Sequence, residues 1–386
     1  MTNRLLGDLP TTIFEVMSEL AKTHRAVNLG QGFPDSPGPE DIRRAAAEAA
    51  MDGDNQYPSM MGLPVLREAV AAHYRRRQGL SLDPSQVLIT CGATEALAAA
   101  ILGLVEPGDE VVMFQPLYDS YAPMVRRAGG VAKFVTLSPP DWRITAEALE
   151  AAITDRTRLV IFNNPLNPSA VVHDRDQLQV LADACLRHDL IAICDEVWEE
   201  IVFGDPPFTP LWALPGMAER CVKIGSAGKI FSLTGWKIGW TIAAAPLTKS
   251  IAKAHQFLTF TIAPPLQAAV ALGLGKDDAY FSEMQADFRR SRDRLTAGLQ
   301  DAGFVVAPSQ GTYFLTVDLP ASGIPMADDA FALLAVKEAG VASIPVSAFY
   351  DLDPVKTVLR LCYAKKDATL DAGIERLAKA RRLAAG

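Results

Sequence analysis

From Val87 onward the chain alternates short, wholly apolar runs with stretches long enough to form a helix, and that alternation is the strongest constraint on its fold. Val87-Leu88-Ile89-Thr90 is the first such run, followed by the Ala-rich stretch Glu95 to Leu104, which Pro107-Gly108 ends. Glu110 to Phe114, Lys133 to Thr136, Leu159 to Asn163, Leu190 to Cys194 and Val222 to Gly225 repeat the first kind, and Tyr118 to Ala128 and Asp174 to His188 repeat the second. A strand apolar on both sides is covered on both sides, and a helix-length connection lets the next strand run parallel to it. The expectation is an α/β large domain of three layers, with a mostly parallel sheet between two layers of helices. Ligands of such sheets bind at the carboxyl ends of the strands.

Beyond the apolar run Trp240 to Ala245 the pattern becomes more helical, with Asp277 to Ala302 as one long helix. Gly311 to Val317 and Val358 to Tyr363 then read as strands, and Ala327 to Ala339 and Ala368 to Ala384 as helices, which predicts a smaller α+β domain. At about 150 residues per domain, 386 residues suit two domains. We expect an N-terminal segment (1–44) packing on the small domain, a large domain (45–280) and a small C-terminal domain (281–386). No internal repeat or low-complexity tract interrupts this order.

Charge and cysteine usage exclude several functional classes. Lys plus Arg number 37 against 45 for Asp plus Glu, a net charge of −8, which argues against a nucleic acid or an anionic membrane as the main partner. The five cysteines are scattered, without a C-x-x-C pair, and the five histidines form no metal or catalytic cluster. The first twenty residues mix Arg4, Asp8, Glu15 and Glu19 into their apolar positions, unlike a secretory signal. The longest apolar stretch, Leu97 to Val105, is far short of a bilayer crossing. A cytoplasmic, reducing location is therefore expected. The apparent glycosylation site Asn167-Pro168-Ser169 fails on its central proline.

The segment Gly225-Ser226-Ala227-Gly228-Lys229 through Gly239 carries the most chemistry. It sets a lysine in a turn of small residues after a strand, with a second cation, Lys237, eight residues on. Small residues let backbone approach an anion, to which Ser226 and Lys237 can supply a hydroxyl and a charge. A lysine among apolar groups and beside cations has a lowered pKa, and its amine becomes nucleophilic toward a carbonyl. The plain alternative is a surface loop with two solvated lysines. Asp195, at the end of Leu190 to Cys194, can pair with a protonated pyridine nitrogen or simply cap a helix. Asn167, in Asn163-Asn164-Pro165-Leu166-Asn167-Pro168, is a hydrogen-bond donor presented by an Asn-Pro turn. Gly92-Ala93-Thr94 opens a helix, where backbone N–H groups hold phosphates. Tyr118, just after a strand, is placed to stack on a flat ring or to join the core.

These motifs, in this order and spacing, resemble the fold-type I, pyridoxal-phosphate-dependent aminotransferases of class I/II, and among them the methionine and kynurenine (glutamine-type) enzymes. The resemblance runs over nearly the whole chain and includes Asn28 to Asp35, Asn55-Gln56-Tyr57-Pro58, Asp119 to Pro123, Cys194 to Val197 and Leu359-Arg360-Leu361-Cys362. It implies that Lys229 is the Schiff-base lysine and proton shuttle, that Asp195 pairs with the pyridine nitrogen, that Asn167 donates to the ring's phenolic oxygen, and that Tyr118 stacks on the ring. Gly92, Ala93, Thr94, Ser226 and Lys237 match the phosphate cup, joined by Tyr57 of a neighbouring subunit in a homodimer with shared sites. Arg360 resembles the arginine that grips the substrate α-carboxylate, helped by Gly30 and Asn163. Phe14, Phe33 and Phe260 are expected near the substrate side chain, which favours methionine, aromatic or other uncharged donors.

Two positions depart from the family pattern. The tyrosine that usually follows Asp-Glu-Val is Trp198 here, and an indole N–H donates but neither accepts nor ionises. Where kynurenine aminotransferases carry Phe-His, this chain reads Phe260-Thr261, which weakens a kynurenine-specific assignment. The expected activity is a ping-pong transfer of an α-amino group from an uncharged L-amino acid to a 2-oxo acid. The alternatives are a cysteine-conjugate β-lyase or a succinyldiaminopimelate-type aminotransferase on the same scaffold and, more distantly, a non-catalytic cofactor-binding regulator. A nicotinamide dehydrogenase is excluded by the lack of a G-x-G-x-x-G after a first strand.

Overall fold

The computed structural model describes residues 3–7, 9–204 and 206–385. Seven strands form its central sheet: β1 (Val87–Cys91), β2 (Glu110–Gln115), β3 (Val131–Thr136), β4 (Thr157–Asn163), β5 (Ile191–Asp195), β6 (Cys221–Ser226) and β7 (Ile238–Ala243). Their order is β1-β7-β6-β5-β4-β2-β3, and every neighbouring pair is parallel except the two that β7 makes. The mostly parallel sheet expected from the apolar runs is present, and the reversal of β7 was not legible in its sequence.

Alternate residues of each strand enter two separate cores, one per face, as the period of two requires. Val111 and Met113 point into one core, and Val112 and Phe114 into the other. Leu159 and Ile161 are likewise set against Val160 and Phe162. Each such side chain contributes about 1.5–3 kcal/mol through burial, which explains why the strands read as unbroken apolar runs.

A second, antiparallel sheet runs Ile344–Pro345, Val358–Cys362, Phe314–Asp318, Val305–Val306. The long helix Asp278–Asp301 packs beside it, and helix Asp367–Ala385 packs on that helix. The amino-terminal residues Val27–Asn28 pair in parallel with Val341–Ala342, a contact across more than three hundred residues that no local pattern announces. The boundaries expected at 44/45 and 280/281 both fall inside continuous helices, Glu40–Asp52 and Asp278–Asp301. Glu40–Asp52 lies against helix Pro264–Leu274, so its first turn cannot be separated from the body of the large sheet.

Beneath the segment 195–200 lies a buried polar network. Lys223, 1% exposed, bonds both Glu196 and Glu199. Glu199 also accepts from the Tyr74 hydroxyl and from Gln78 Nε2 (2.6 Å), and Trp240 Nε1 donates to Tyr74 Oη at 3.0 Å. Burial alone would push Lys223 down, but Glu196 and Glu199 overrule it and hold the amine above its usual pKa. Lys223→Met leaves two buried carboxylates without their cation, so we expect a loss of about 3–5 kcal/mol, read as a lower denaturation midpoint of the holoenzyme. An unchanged midpoint would show that the pair is replaceable by a hydrophobe.

Candidate active site

Strand register assembles the site. Asn163 at the end of β4 lies beside Asp195 at the end of β5, and Asp195 lies beside Ile224, two residues before the end of β6 at Ser226. Because β7 runs the other way, it starts at the edge where the parallel strands stop. Lys237, just before β7, therefore arrives next to Gly92, which follows β1. Between these ends lies a cavity of about 300 Å³. Gly92, Ala93, Thr94, Tyr118, Asn163, Asn167, Asp195, Trp198, Ser226, Lys229 and Lys237 all line it, together with Phe33.

Asp195 is 5% exposed, and its two oxygens are used unequally. Oδ2 accepts from Tyr121 Oη at 2.5 Å, while Oδ1 is buried with no partner. Burial pushes the carboxyl above its usual pKa, against the Tyr121 hydrogen bond, a Val197 backbone bond and the Lys229 charge. An orphaned carboxylate oxygen in a cavity wall is a costly arrangement unless a cationic or N–H ligand completes it.

At the start of helix Gly92–Leu104, Gly92 has φ +70°, and a Cβ built there would lie 3.1 Å from Lys237 Cε. Glycine thus lets the Lys237 side chain reach the free amides of the first turn. Lys237 itself holds φ +54°, a left-handed conformation that costs a non-glycine residue energy. Free helix amides, a lysine and the Ser226 hydroxyl around one space make an anion site.

Lys229 follows β6 in the short helix Ala227–Ile230. Its amine lies 4.7 Å from the centre of the Trp198 ring and 3.4 Å from Tyr313 Oη. Burial is the main cause that lowers it to about 8, with Arg360 and Lys237 acting in the same direction and Asp195 and Cys362 opposing. Arg360 lies on the neighbouring small sheet and is 1% exposed. Nη1 donates to Asn167 Oδ1 (2.8 Å) and Nη2 to the Gly30 carbonyl (2.9 Å), while Nε is buried without a partner. The guanidinium lies 3.9, 5.1 and 5.3 Å from the rings of Phe314, Phe349 and Phe14. Among the described residues no carboxylate pairs with it, and burial pushes it down to about 10, so it remains charged at neutral pH.

The structure redefines several expected contacts. Asn163 spends its amide on scaffolding: Nδ2 donates to the Asp195 carbonyl (2.8 Å) and Oδ1 accepts from the Asn167 N–H (2.8 Å). Gly30 turns its carbonyl to Arg360 and its N–H to Asn28 Oδ1. Both orient the groups around them here. Phe14 stacks edge-on against Phe349 (5.6 Å) in the wall around Arg360. Tyr57 and Phe260 lie outside the cavity, paired edge-on with ring centres 5.6 Å apart and exposed by 83% and 43%. Residue type singles out no role for Tyr121, Tyr313, Phe314 or Phe349, although Tyr121 stands inside the motif Asp119 to Pro123 and three residues after Tyr118.

The family model for aminotransferases of class I and II matches residues 24–377. This chain is a class I/II aminotransferase. It is 44% identical to a probable N-succinyldiaminopimelate aminotransferase of Mycobacterium tuberculosis, with 98% of each chain covered. It is 43% identical to a methionine aminotransferase of Escherichia coli over 96% of each. The solved structure of the mycobacterial N-succinyldiaminopimelate aminotransferase superposes with a TM-score of 0.95, covering 98% of this chain and 100% of that one. The Escherichia coli methionine aminotransferase structure gives 0.94, at 41% identity over 98% and 99%. Enzymes of this family depend on pyridoxal phosphate, and the fold is that of the type I group.

The residues present fit that cofactor. The orphaned Asp195 Oδ1 awaits an N–H, and the side-chain-free space at Gly92 leaves room for a phosphate beside Lys237. Gly92→Ala puts a methyl group into that space in a strained backbone, so we expect the aminotransferase to lose affinity for pyridoxal phosphate by about tenfold or more, measured by dialysis and re-addition. Unchanged retention would move the phosphate elsewhere.

Proposed function

We propose that this aminotransferase takes the α-amino group of an uncharged L-amino acid (a methionine, aromatic or glutamine-like donor) and passes it to a 2-oxo acid in two half-reactions. The observation that carries this reading is Arg360, a buried cation with no carboxylate partner among the described residues, its Nε unpaired and aromatic rings around it. Such a group is completed by a substrate carboxylate, which the planar guanidinium takes with two donors at once. Lys365, the basic residue five positions further on, already bonds the Phe33 carbonyl at 2.9 Å and faces Asp35 at 3.4 Å. That supports a donor whose side chain carries no second carboxylate.

When bound, pyridoxal phosphate supplies an electron sink beside the substrate α-carbon. In this reading Lys229 carries the cofactor and, once released, moves the proton taken from that carbon. Asp195, fixed by Tyr121, offers its free oxygen to the ring N–H. Asn167 gives its amide oxygen to Arg360, which leaves the amide nitrogen as the donor it can offer a ring oxygen. Tyr118 and Trp198 wall the ring, and the first turn of Gly92–Leu104, Ser226 and Lys237 hold the phosphate. Borohydride reduction followed by peptide mass analysis tests the first assignment: a pyridoxyl group belongs on the peptide containing Lys229, and its absence there would remove this account.

The similarity to a probable N-succinyldiaminopimelate aminotransferase favours one second reading, in which the donor carries a long acylated side chain. A donor panel of methionine, phenylalanine, glutamine and N-succinyldiaminopimelate with 2-oxoglutarate separates the two. Pyruvate release from a cysteine thioether detects β-elimination on the same scaffold.

The exposed aromatic pair Tyr57 and Phe260, with Phe257 (85%) and Met51 (83%) also exposed, supports a homodimer in which Tyr57 and Phe260 complete the partner's site. Sedimentation of the holoenzyme reads this directly, and a monomer at working concentration would refute it. The five cysteines are unpaired thiols, which fits a cytoplasmic location. Among the described residues no helix is long and apolar enough to cross a membrane.

A further inference from the structure

Among the described residues, the one side-chain hydrogen bond made by the Lys229 amine is to Tyr313 Oη, at 3.4 Å. Tyr313 is fully buried and held on several sides: its ring meets Trp198 edge-on at 4.5 Å and 86°, Phe314 at 5.0 Å and Phe288 at 5.9 Å. Its hydroxyl has a single proton, and that proton is donated to the Gly32 carbonyl at 2.5 Å. What the oxygen offers Lys229 is therefore a lone pair. Burial pushes the phenol well above its usual pKa, so it stays protonated and keeps this polarity. Trp198, the other ring beside the amine, has no acceptor to offer.

We propose that Tyr313 is a positioning residue for the amino transfer: its phenol oxygen accepts one N–H of Lys229 while that amine is free, which orients the nitrogen lone pair for the substrate α-proton. The proton leaves the α-carbon, adds to the lone pair and is passed on to the accepting carbon, so the amine ends the step as it began. A free amine has two N–H bonds and one lone pair. Anchoring one N–H to a locked phenol removes rotations that would turn the lone pair away. This inference rests on the reading of Lys229 as the residue that carries the cofactor. The charged and titratable groups facing Lys229 are Asp195, Cys362, Arg360 and Lys237, and those facing Tyr313 are Cys362 and Arg360.

The test is Tyr313→Phe in the holoenzyme, after reductive labelling of the wild type has placed the pyridoxyl group on Lys229. A label elsewhere ends the parent reading before Tyr313 is at issue. Two readouts are taken together. The first is the separate change in kcat and KM; the second, with the cofactor removed so that the Lys229 amine is free, is the pH midpoint of that amine's reaction with an acylating reagent, read by peptide mass. We expect kcat to fall about tenfold with KM within a factor of two, the effect of one lost hydrogen bond in the reacting state. The midpoint should move down by about half a unit or more, because an acceptor that favours the protonated nitrogen is gone. A raised KM with kcat kept would mean that Tyr313 only secures the Gly32 carbonyl, and that result, or any other pattern, overturns the proposal. Tyr313→His restores an acceptor, so kcat should partly return; if phenylalanine does not yield holoenzyme, this variant's kcat and midpoint decide.

Discussion

Lys229→Ala is expected to lower kcat by about 10⁴-fold or more while leaving the fold intact. Two contributions disappear together: the amine that anchors the cofactor and the positioned proton carrier, the latter alone worth about 10²–10⁴-fold. The pH dependence carries the same signature. Lys229 is lowered to about 8, first by burial and then by Arg360 and Lys237. Below that pH the released amine is mainly protonated and cannot accept the substrate proton; above it the free base predominates. The rate limited by proton transfer should therefore rise with pH through about 8 and level off. That limb should vanish in Lys229→Ala and reappear in part when a small primary amine is added. A variant that kept more than a tenth of the wild-type rate would place the proton carrier elsewhere.

For Arg360→Lys we expect kcat/KM to fall by about 10²–10³-fold, equivalent to about 3–4 kcal/mol. Arg360 reaches two acceptors with two different nitrogens and lies over the Phe314 ring, so its plane is set before a carboxylate arrives. A lysine ammonium is a point charge on a flexible stem and cannot reproduce that fork. The loss should appear for every donor that has an α-carboxylate, whatever its side chain, because the contact is to the part that all donors share. An unchanged kcat/KM would take Arg360 out of the substrate site. A loss confined to one donor would make it a side-chain contact.

Several parts of the site are legible in the sequence because their chemistry is local. A lysine after a strand, set among Gly and Ser, an acid at the end of an apolar run and a Gly-Ala-Thr turn before a helix each lie in one short stretch. Their meeting at one sheet edge follows from parallel strands, since all such strands end on the same side. Asn163 and Gly30, which the resemblance sets beside Arg360 as its helpers, use polar atoms on neighbouring backbone or on Arg360 itself. Type and position along the chain do not reveal which partner a polar group finds first.

Tyr121 and Tyr313 show the opposite limit. Both are aromatic residues in ordinary apolar surroundings, where residue type does not tell a core ring from a functional phenol. Tyr121 becomes the fixed donor to Asp195 because helix Tyr121–Arg127 lies against the carboxyl end of a strand about seventy residues later. Tyr313, just ahead of the strand Phe314–Asp318 of the small sheet, reaches Lys229, just past the end of β6 in the large one, a contact between residues more than eighty positions apart.

The sequence alone therefore determined the layer architecture, the apolar strands and the identity of the chemical groups, because each depends on periodicity and residue type over a few positions. Tertiary structure alone decided the reversal of β7 that delivers Lys237, the pairing of Val27–Asn28 with Val341–Ala342, and which polar atoms stay unpaired. Those outcomes depend on competition among groups far apart in the chain. An oxygen such as Asp195 Oδ1 is left for a ligand only after every nearby donor has been committed elsewhere.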